Sequence, residues 1–180
     1  MEEKNIGVRT EENLKAAFAG ESQARNRYDY FAKVATKEGY LYIAKIFQET
    51  ALNEVQHAKD EFKLLGGINN TAENLKSAVE GENYETEHMY PEFAEIAKEE
   101  GNMEAFAKFI AIGKVEKNHE KRFKKLLEMV EKGNVYKRDS EIKWKCSKCG
   151  HIHTGREPPK KCPSCAHPLE YFEPEDFMGK

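Results

Sequence analysis

Residues 51–65 read Ala51-Leu-Asn-Glu54-Val-Gln-His57-Ala-Lys-Asp-Glu-Phe-Lys-Leu-Leu65, and residues 113–127 read Gly113-Lys-Val-Glu116-Lys-Asn-His119-Glu-Lys-Arg-Phe-Lys-Lys-Leu-Leu127. Each stretch carries a Glu-x-x-His, and the two copies stand 62 positions apart. The same offset relates Phe31-Ala32 to Phe93-Ala94 and Gly39 to Gly101. Nearer the start the offset is 61, relating Asn13-Leu14-Lys15 to Asn74-Leu75-Lys76 and Gly20-Glu21 to Gly81-Glu82. The chain therefore repeats one helical hairpin twice, and the second copy carries one extra residue between Glu82 and Phe93. A single insertion inside a helix is the signature of a π-bulge, and Pro91 in the same stretch fits a local break in the hydrogen-bond ladder.

Composition agrees with long, charge-covered helices. Of the 180 residues 34% are charged and 39% apolar, and the acids are 28 Glu against 4 Asp, a bias toward the better helix former. Helices are expected over about Thr10–Lys37, Tyr40–Leu65, Thr71–Glu100 and Asn102–Lys132, with Thr10 and Thr71 as N-caps and Gly66-Gly67 and Gly133 as stops. At 1.5 Å per residue these are rods of roughly 40 Å, the dimension of a four-helix bundle. A net charge of −3 excludes a generally basic nucleic-acid coat, and no basic stripe or recognised nucleic-acid module is present. No run approaches the roughly 20 apolar residues of a membrane span. Residues 1–13 are polar and carry no signal-peptide pattern, so a cytoplasmic location is expected.

Most of the 28 Glu belong to solvated surface, but some fall within apolar stripes. Ile43, Phe47, Ala51, Ala58 and Leu65 enclose Glu54 and His57; Phe106, Phe109, Phe123, Leu127 and Val130 enclose Glu116 and His119. Leu14, Ala17, Phe18, Ala24, Phe31 and Ala35 enclose Glu21 and Tyr28; Leu75, Val79, Phe93 and Ala97 enclose Glu82, with Glu85 one turn on. An unpaired buried carboxylate costs several kcal/mol. No basic residues stand at matching positions, so two divalent cations are the economical counter-charge for five carboxylates. A Glu and a His at i and i+3 lie on one helix face and offer O and N donors to one point. Two such pairs, each with a Glu on the preceding helix, form the ligand pattern of ferritin-like two-metal carboxylate bundles. Mixed O and N donors favour Fe or Mn over Mg or Cu. Glu85, whose counterpart is Ala24, is an extra ligand or an outer acceptor, and Tyr28 and Tyr90 are repeat-equivalent phenols directed at the metals or packed in the core.

From residue 133 the texture changes, with a linker near 133–142 and a small domain beyond it. Cys146-Ser-Lys-Cys149 and Cys162-Pro-Ser-Cys165 are two Cys-x-x-Cys knuckles separated by 12 residues, a four-thiolate metal site. Structural zinc and one-electron iron are both compatible with it. His151, His153 and His167 flank the knuckles. So few residues need such a staple to fold.

Taken together, Gly20-Glu21-Ser, Glu54-Val-Gln-His57, Gly81-Glu82-Asn-Tyr-Glu85, Met89-Tyr90-Pro91, Glu116-Lys-Asn-His119-Glu-Lys-Arg-Phe and Glu157-Pro158-Pro159 to Cys162-Pro163-Ser-Cys165 resemble the rubrerythrin family over nearly the whole chain. The resemblance implies a mainly α fold, in which a ferritin-like di-iron four-helix bundle over 1–138 is followed by a small metal-stapled rubredoxin-like domain over 139–180. It implies two non-haem Fe in the bundle and one Fe in the four-cysteine site, zinc being the alternative occupant in a recombinant sample. Glu54 and Glu116 match the family's bridging carboxylates. Glu21, with Glu85 or His57, would serve one iron, and Glu82 with His119 the other. His57 and Glu85 would trade places between redox states. Tyr28 and Tyr90 match the site tyrosines, and Cys146, Cys149, Cys162 and Cys165 the mononuclear iron ligands. The implied activity is reduction of hydrogen peroxide to water. The implied partners are a rubredoxin or NAD(P)H-dependent reductase as electron donor and further copies of the chain in a homodimer or higher oligomer, one chain's tail facing another's bundle. A ferritin-like ferroxidase and a non-enzymatic bundle with a zinc ribbon are the competing readings.

Overall fold

The computed structural model describes residues 7–175. The outermost residues of both expected domains, 1–6 and 176–180, lie outside the described residues. The chain divides into two compact units, 1–69 and 70–180.

The first unit is a helical hairpin of α1 (Val8–Lys37) and α2 (Leu41–Leu64). α1 starts earlier than expected. Gly7 is the N-cap, its carbonyl accepting from Thr10 N–H at 2.9 Å and Glu11 N–H at 3.0 Å, so Thr10 lies inside the first turn. The helices meet along Ala24, Ala32, Ala35, Ala44, Ala51 and Ala58, all buried. Small side chains let two backbones approach closely, and a helix pair buries only the line along which it touches. For that reason Phe31 and Ile43, members of the expected stripes, remain 46% and 47% exposed. Beyond the alanine seam Phe18 of α1 stacks on Phe62 of α2, ring centroids 4.8 Å apart.

The second unit opens with the second hairpin. α3 (Thr71–Tyr84), a π-helical segment (Glu85–Met89) and α4 (Tyr90–Glu99) follow one another without interruption, and α5 (Met103–Glu131) returns antiparallel. The N-cap of α3 is Asn70, whose side-chain oxygen accepts from Glu73 N–H at 3.1 Å; Thr71 is the first helical residue. The π segment sits where the extra residue of the second copy falls. Tyr90 N–H reaches back five residues to the carbonyl of Glu85, and Pro91, which has no N–H, follows at the start of α4. The inter-helix turns repeat as the sequence does. Gly39 and Gly101 take φ of +87° and +76°, and the next N–H, of Tyr40 and Asn102, bonds to Ala35 and Ala97 at 2.8 Å in both cases. Such backbone angles strain any residue with a Cβ.

After α5 a three-stranded antiparallel sheet forms, ordered β2 (Ile152–Gly155), β1 (Ile142–Cys146), β3 (Phe172–Pro174). Its small core is Trp144, Cys146, Cys162 and Phe172. The Trp144 indole N–H donates to Gly155 O at 3.0 Å, and the Arg138 guanidinium lies 5.2 Å from the centroid of the Trp144 ring while donating to carbonyls of Asn134, Val135 and Lys137. Among the described residues no helix is long and apolar enough to cross a membrane.

Gly67 closes the first hairpin against the aromatic pair: a Cβ there would overlap the Phe62 ring. Gly67→Ala forces that ring off Phe18. It is expected to destabilise the protein by about 1 kcal/mol, the worth of such a stack, read as a lowered Tm; an unchanged Tm would show that the stack contributes nothing.

Candidate metal centres

Each hairpin gathers one triad. In the first, Glu21 comes from α1 and Glu54 and His57 from α2. His57 Nδ1 lies 2.8 Å from Glu54 Oε2 and 3.8 Å from Glu21 Oε1. In the second, Glu82 comes from α3 and Glu116 and His119 from α5. His119 Nδ1 lies 2.6 Å from Glu116 Oε2 and 3.7 Å from Glu82 Oε2. Within each triad one ligand atom from every residue falls within 4.8 Å of the others. The near-identity follows from the repeat: the i, i+3 relation puts Glu and His on one face, and the antiparallel neighbour supplies the third donor at the same height.

The electrostatics are those of crowded acids. Burial, then the charge of Glu54 and a hydrogen bond to it, raise Glu21 above the ordinary carboxylate range. Burial, then a hydrogen bond to Glu116 and its charge, raise Glu82 in the same way. Two carboxyl groups in contact hold a proton between them unless a cation replaces it. Glu82 Oε2 is also buried with no hydrogen-bond partner. That unpartnered oxygen, beside a second carboxyl group and an imidazole, suits a divalent transition metal.

Glu85 belongs to neither triad. It lies half-buried in the π segment, where its charge helps to raise both Glu82 and Tyr90. The Tyr90 phenol is raised first by burial, then by Glu85, Glu116 and Glu82, which places it beside the second triad. Gly113 of α5 admits that neighbour, since a Cβ there would meet Tyr90 Cβ at 3.2 Å. Tyr28 stands among aromatic rings, with centroids 6.3 Å from Phe31 and 6.1 Å from Phe47.

Sequence reasoning passed over one group next to the second triad. Glu120 is 5% exposed, accepts from Asn83 Nδ2 at 2.9 Å and Lys124 Nζ at 2.5 Å, and is held below the ordinary range chiefly by the Lys124 bond. The available signal was a mismatch between the copies, where Glu120 corresponds to Ala58 and Asn83 to Ser22.

The four cysteines converge in the second unit. Cys146 and Cys165 sulfurs are 3.8 Å apart and those of Cys149 and Cys162 3.7 Å, too far for disulfides. Thiolates placed tetrahedrally at about 2.3 Å from one ion would stand about 3.8 Å apart, so the cage fits a metal. The two knuckles are copies in backbone. Gly150 N–H bonds to Cys146 O and Ala166 N–H to Cys162 O, while Cys146 and Cys162 N–H bond to the His151 and His167 carbonyls. Gly150 and Ala166 both take positive φ, +76° and +61°. That turn directs the His151 backbone N–H at the Cys149 sulfur, lowering its pKa to about 7, with help from hydrogen bonds to the other thiols. Cys165 receives the matching His167 N–H bond, yet burial and the neighbouring thiols push it up to about 12. Cys149 is exposed, whereas Cys146 and Cys162 are buried.

The sequence model of the family described as Rubrerythrin matches residues 12–127, and that of the Rubrerythrin, rubredoxin-like domain matches 144–173. A rubrerythrin of Porphyromonas gingivalis is 51% identical, over 93% of this chain and 90% of its own. Rubrerythrins of Clostridium perfringens and Nitratidesulfovibrio vulgaris are 47% and 45% identical, each over 93% of this chain and 94% of their own. With its paired Glu/Glu/His triads, its cysteine cage and the expected mainly α, ferritin-like fold with a rubredoxin-like tail, the chain belongs to the rubrerythrin family.

Proposed function

We propose that the chain reduces hydrogen peroxide to water at a two-iron centre, with electrons entering singly through an iron held by Cys146, Cys149, Cys162 and Cys165. The observation that carries this reading is the presence, in one chain, of two repeat-equivalent Glu/Glu/His triads and a four-thiolate cage. Glu21, Glu54, His57, Glu82, Glu116 and His119 are the proposed bundle ligands, with Glu85 as an additional carboxylate. The expected domain organisation, 1–138 and 139–180, is proposed with it, as are a cytoplasmic location, a homo-oligomer, and a rubredoxin or NAD(P)H-dependent reductase as donor.

Cleaving peroxide to two waters takes two electrons and two protons. A pair of ferrous ions, when bound, would supply both electrons and Lewis acidity for the O–O bond. The remaining work falls to side chains. The four triad carboxylates neutralise the charge of the ions and leave the pair of imidazoles as neutral donors. The phenol of Tyr90, kept protonated by burial and by the charges of Glu85, Glu116 and Glu82, would give one of the two protons to the departing oxygen, while solvent water supplies the second and reprotonates the phenolate. The exposed edge of the cage at Cys149 is the point where a donor protein comes nearest to the thiolates.

Anaerobic reduction followed by one equivalent of oxidant tests the activity. Reoxidation by peroxide is expected to outrun reoxidation by O₂, and the reverse order, with ferric mineral accumulating, would favour a ferroxidase. Purified Cys149→Ser is expected to show a shifted and weakened visible thiolate-to-iron absorption and to lose nearly all steady-state turnover with an external donor, while its chemically reduced bundle still consumes one equivalent of peroxide. Full steady-state turnover in that variant would remove the cysteine cage from the electron route.

A further inference from the structure

The two hairpins are fastened differently beside their ligands. In the first, Phe18 and Phe62 form an apolar stack. The repeat positions in the second hairpin are Val79 and Lys124, which cannot stack. There the fastening is polar. One oxygen of Glu120 accepts from Asn83 Nδ2 at 2.9 Å, across from α3 to α5, and from Lys124 Nζ at 2.5 Å. Ser22 and Ala58, at the matching positions of the first hairpin, carry side chains too short for such a bond.

Its location gives the bond a consequence. Asn83 directly follows Glu82, and Glu120 directly follows His119. The bond therefore ties the backbones of α3 and α5 together at the height of the second triad. Two residues past Asn83 the helix changes register, with the π segment beginning at Glu85. A helix is stiff along its axis, so a change in the π turn would be transmitted to Glu82 unless something held α3 just before it. The first hairpin has neither a π segment nor a polar tie at these positions.

The geometry points to Glu120, tied to Asn83, as a positioning residue that keeps Glu82 in register with Glu116 and His119 and insulates it from the register change at Glu85. This rests on the metal-centre reading above. Outer groups that orient ligands in this way are worth about 10–100-fold in metal affinity.

The test uses the full chain, stripped of bundle metal and titrated anaerobically with Fe(II), followed by near-infrared circular dichroism. The double variant N83S/E120A installs the first hairpin's residues and removes both partners of the cross-helix bond. It is expected to bind one of the two Fe(II) about tenfold more weakly, with the other and the helical content unchanged. N83S alone, which breaks the same cross-helix bond while leaving Glu120 paired with Lys124, should show the same selective loss, and E120Q, which keeps an acceptor for Asn83, should bind Fe(II) as the unaltered chain does. Equal Fe(II) affinities in N83S/E120A and the unaltered chain, with only a lowered Tm, would overturn the inference. Failure of the unaltered chain itself to bind Fe(II) would overturn the metal-centre reading, and this inference with it.

Discussion

Carboxyl groups crowded into contact on half-buried helix faces are the constraint on which the hairpins turn. Glu21 meets Glu54, Glu82 meets Glu116, and in each pair the first member is driven toward its protonated form by burial and by its neighbour. Leaving such crowded charges without a counter-charge opposes folding. A hydrophobic pair at these positions would make a better hairpin. The helices accept the acids because a cation reverses the sign of the interaction, so that the same crowding that opposes two anions favours a metal between them. The alanine seam serves that arrangement. Ala24, Ala51 and Ala58 are small enough to bring the helix axes together at the height of the ligands, which places donors from two helices within 4.8 Å.

The second copy departs from the first where one residue has been added. A residue inserted in an α-helix rotates everything beyond it by about 100° unless the ladder absorbs it locally. The π segment is that absorption. It keeps Glu82 before it and Tyr90 and Phe93 after it on the faces their counterparts occupy, and presents Glu85, for which the first hairpin has only Ala24. Pro91 removes the N–H that a regular ladder would have used, which makes the widened turn the less costly conformation there. The asymmetry of the two triads is thus written into backbone hydrogen bonding.

Much of this was legible in the sequence because it depends on spacing. The i, i+3 pairs, the offset that steps from 61 to 62, and the two Cys-x-x-Cys knuckles fix relative positions whatever the surroundings. Helix starts were less legible. Gly7 rather than Thr10 opens α1 because nothing in Val8-Arg9-Thr10 resists an extra turn, and Asn70 rather than Thr71 caps α3 because both side chains can cap and only Asn70 meets Glu73 N–H. The stripes told which residues prefer burial, yet not that a helix pair would cover alanines first and leave Phe31 and Ile43 half open. Glu120 was invisible for another reason: in a chain with 28 Glu, nothing local distinguishes a buried one until Asn83, 37 residues away, is known to face it.

The cysteine cage reaches its geometry by a different route, from backbone turns instead of helix faces. Two knuckles with the same hydrogen bonds meet face to face, and each needs a left-handed residue after its second cysteine so that the following N–H can point at sulfur. Gly150 adopts that angle freely, whereas Ala166 does so at a cost of about 1–2 kcal/mol. Bonds from four thiolates to one ion would exceed that cost several times over. The bundle and the tail therefore share one logic. Each holds side chains or backbone in an arrangement unfavourable on its own, and each leaves to a bound ion the energy that makes the arrangement stable.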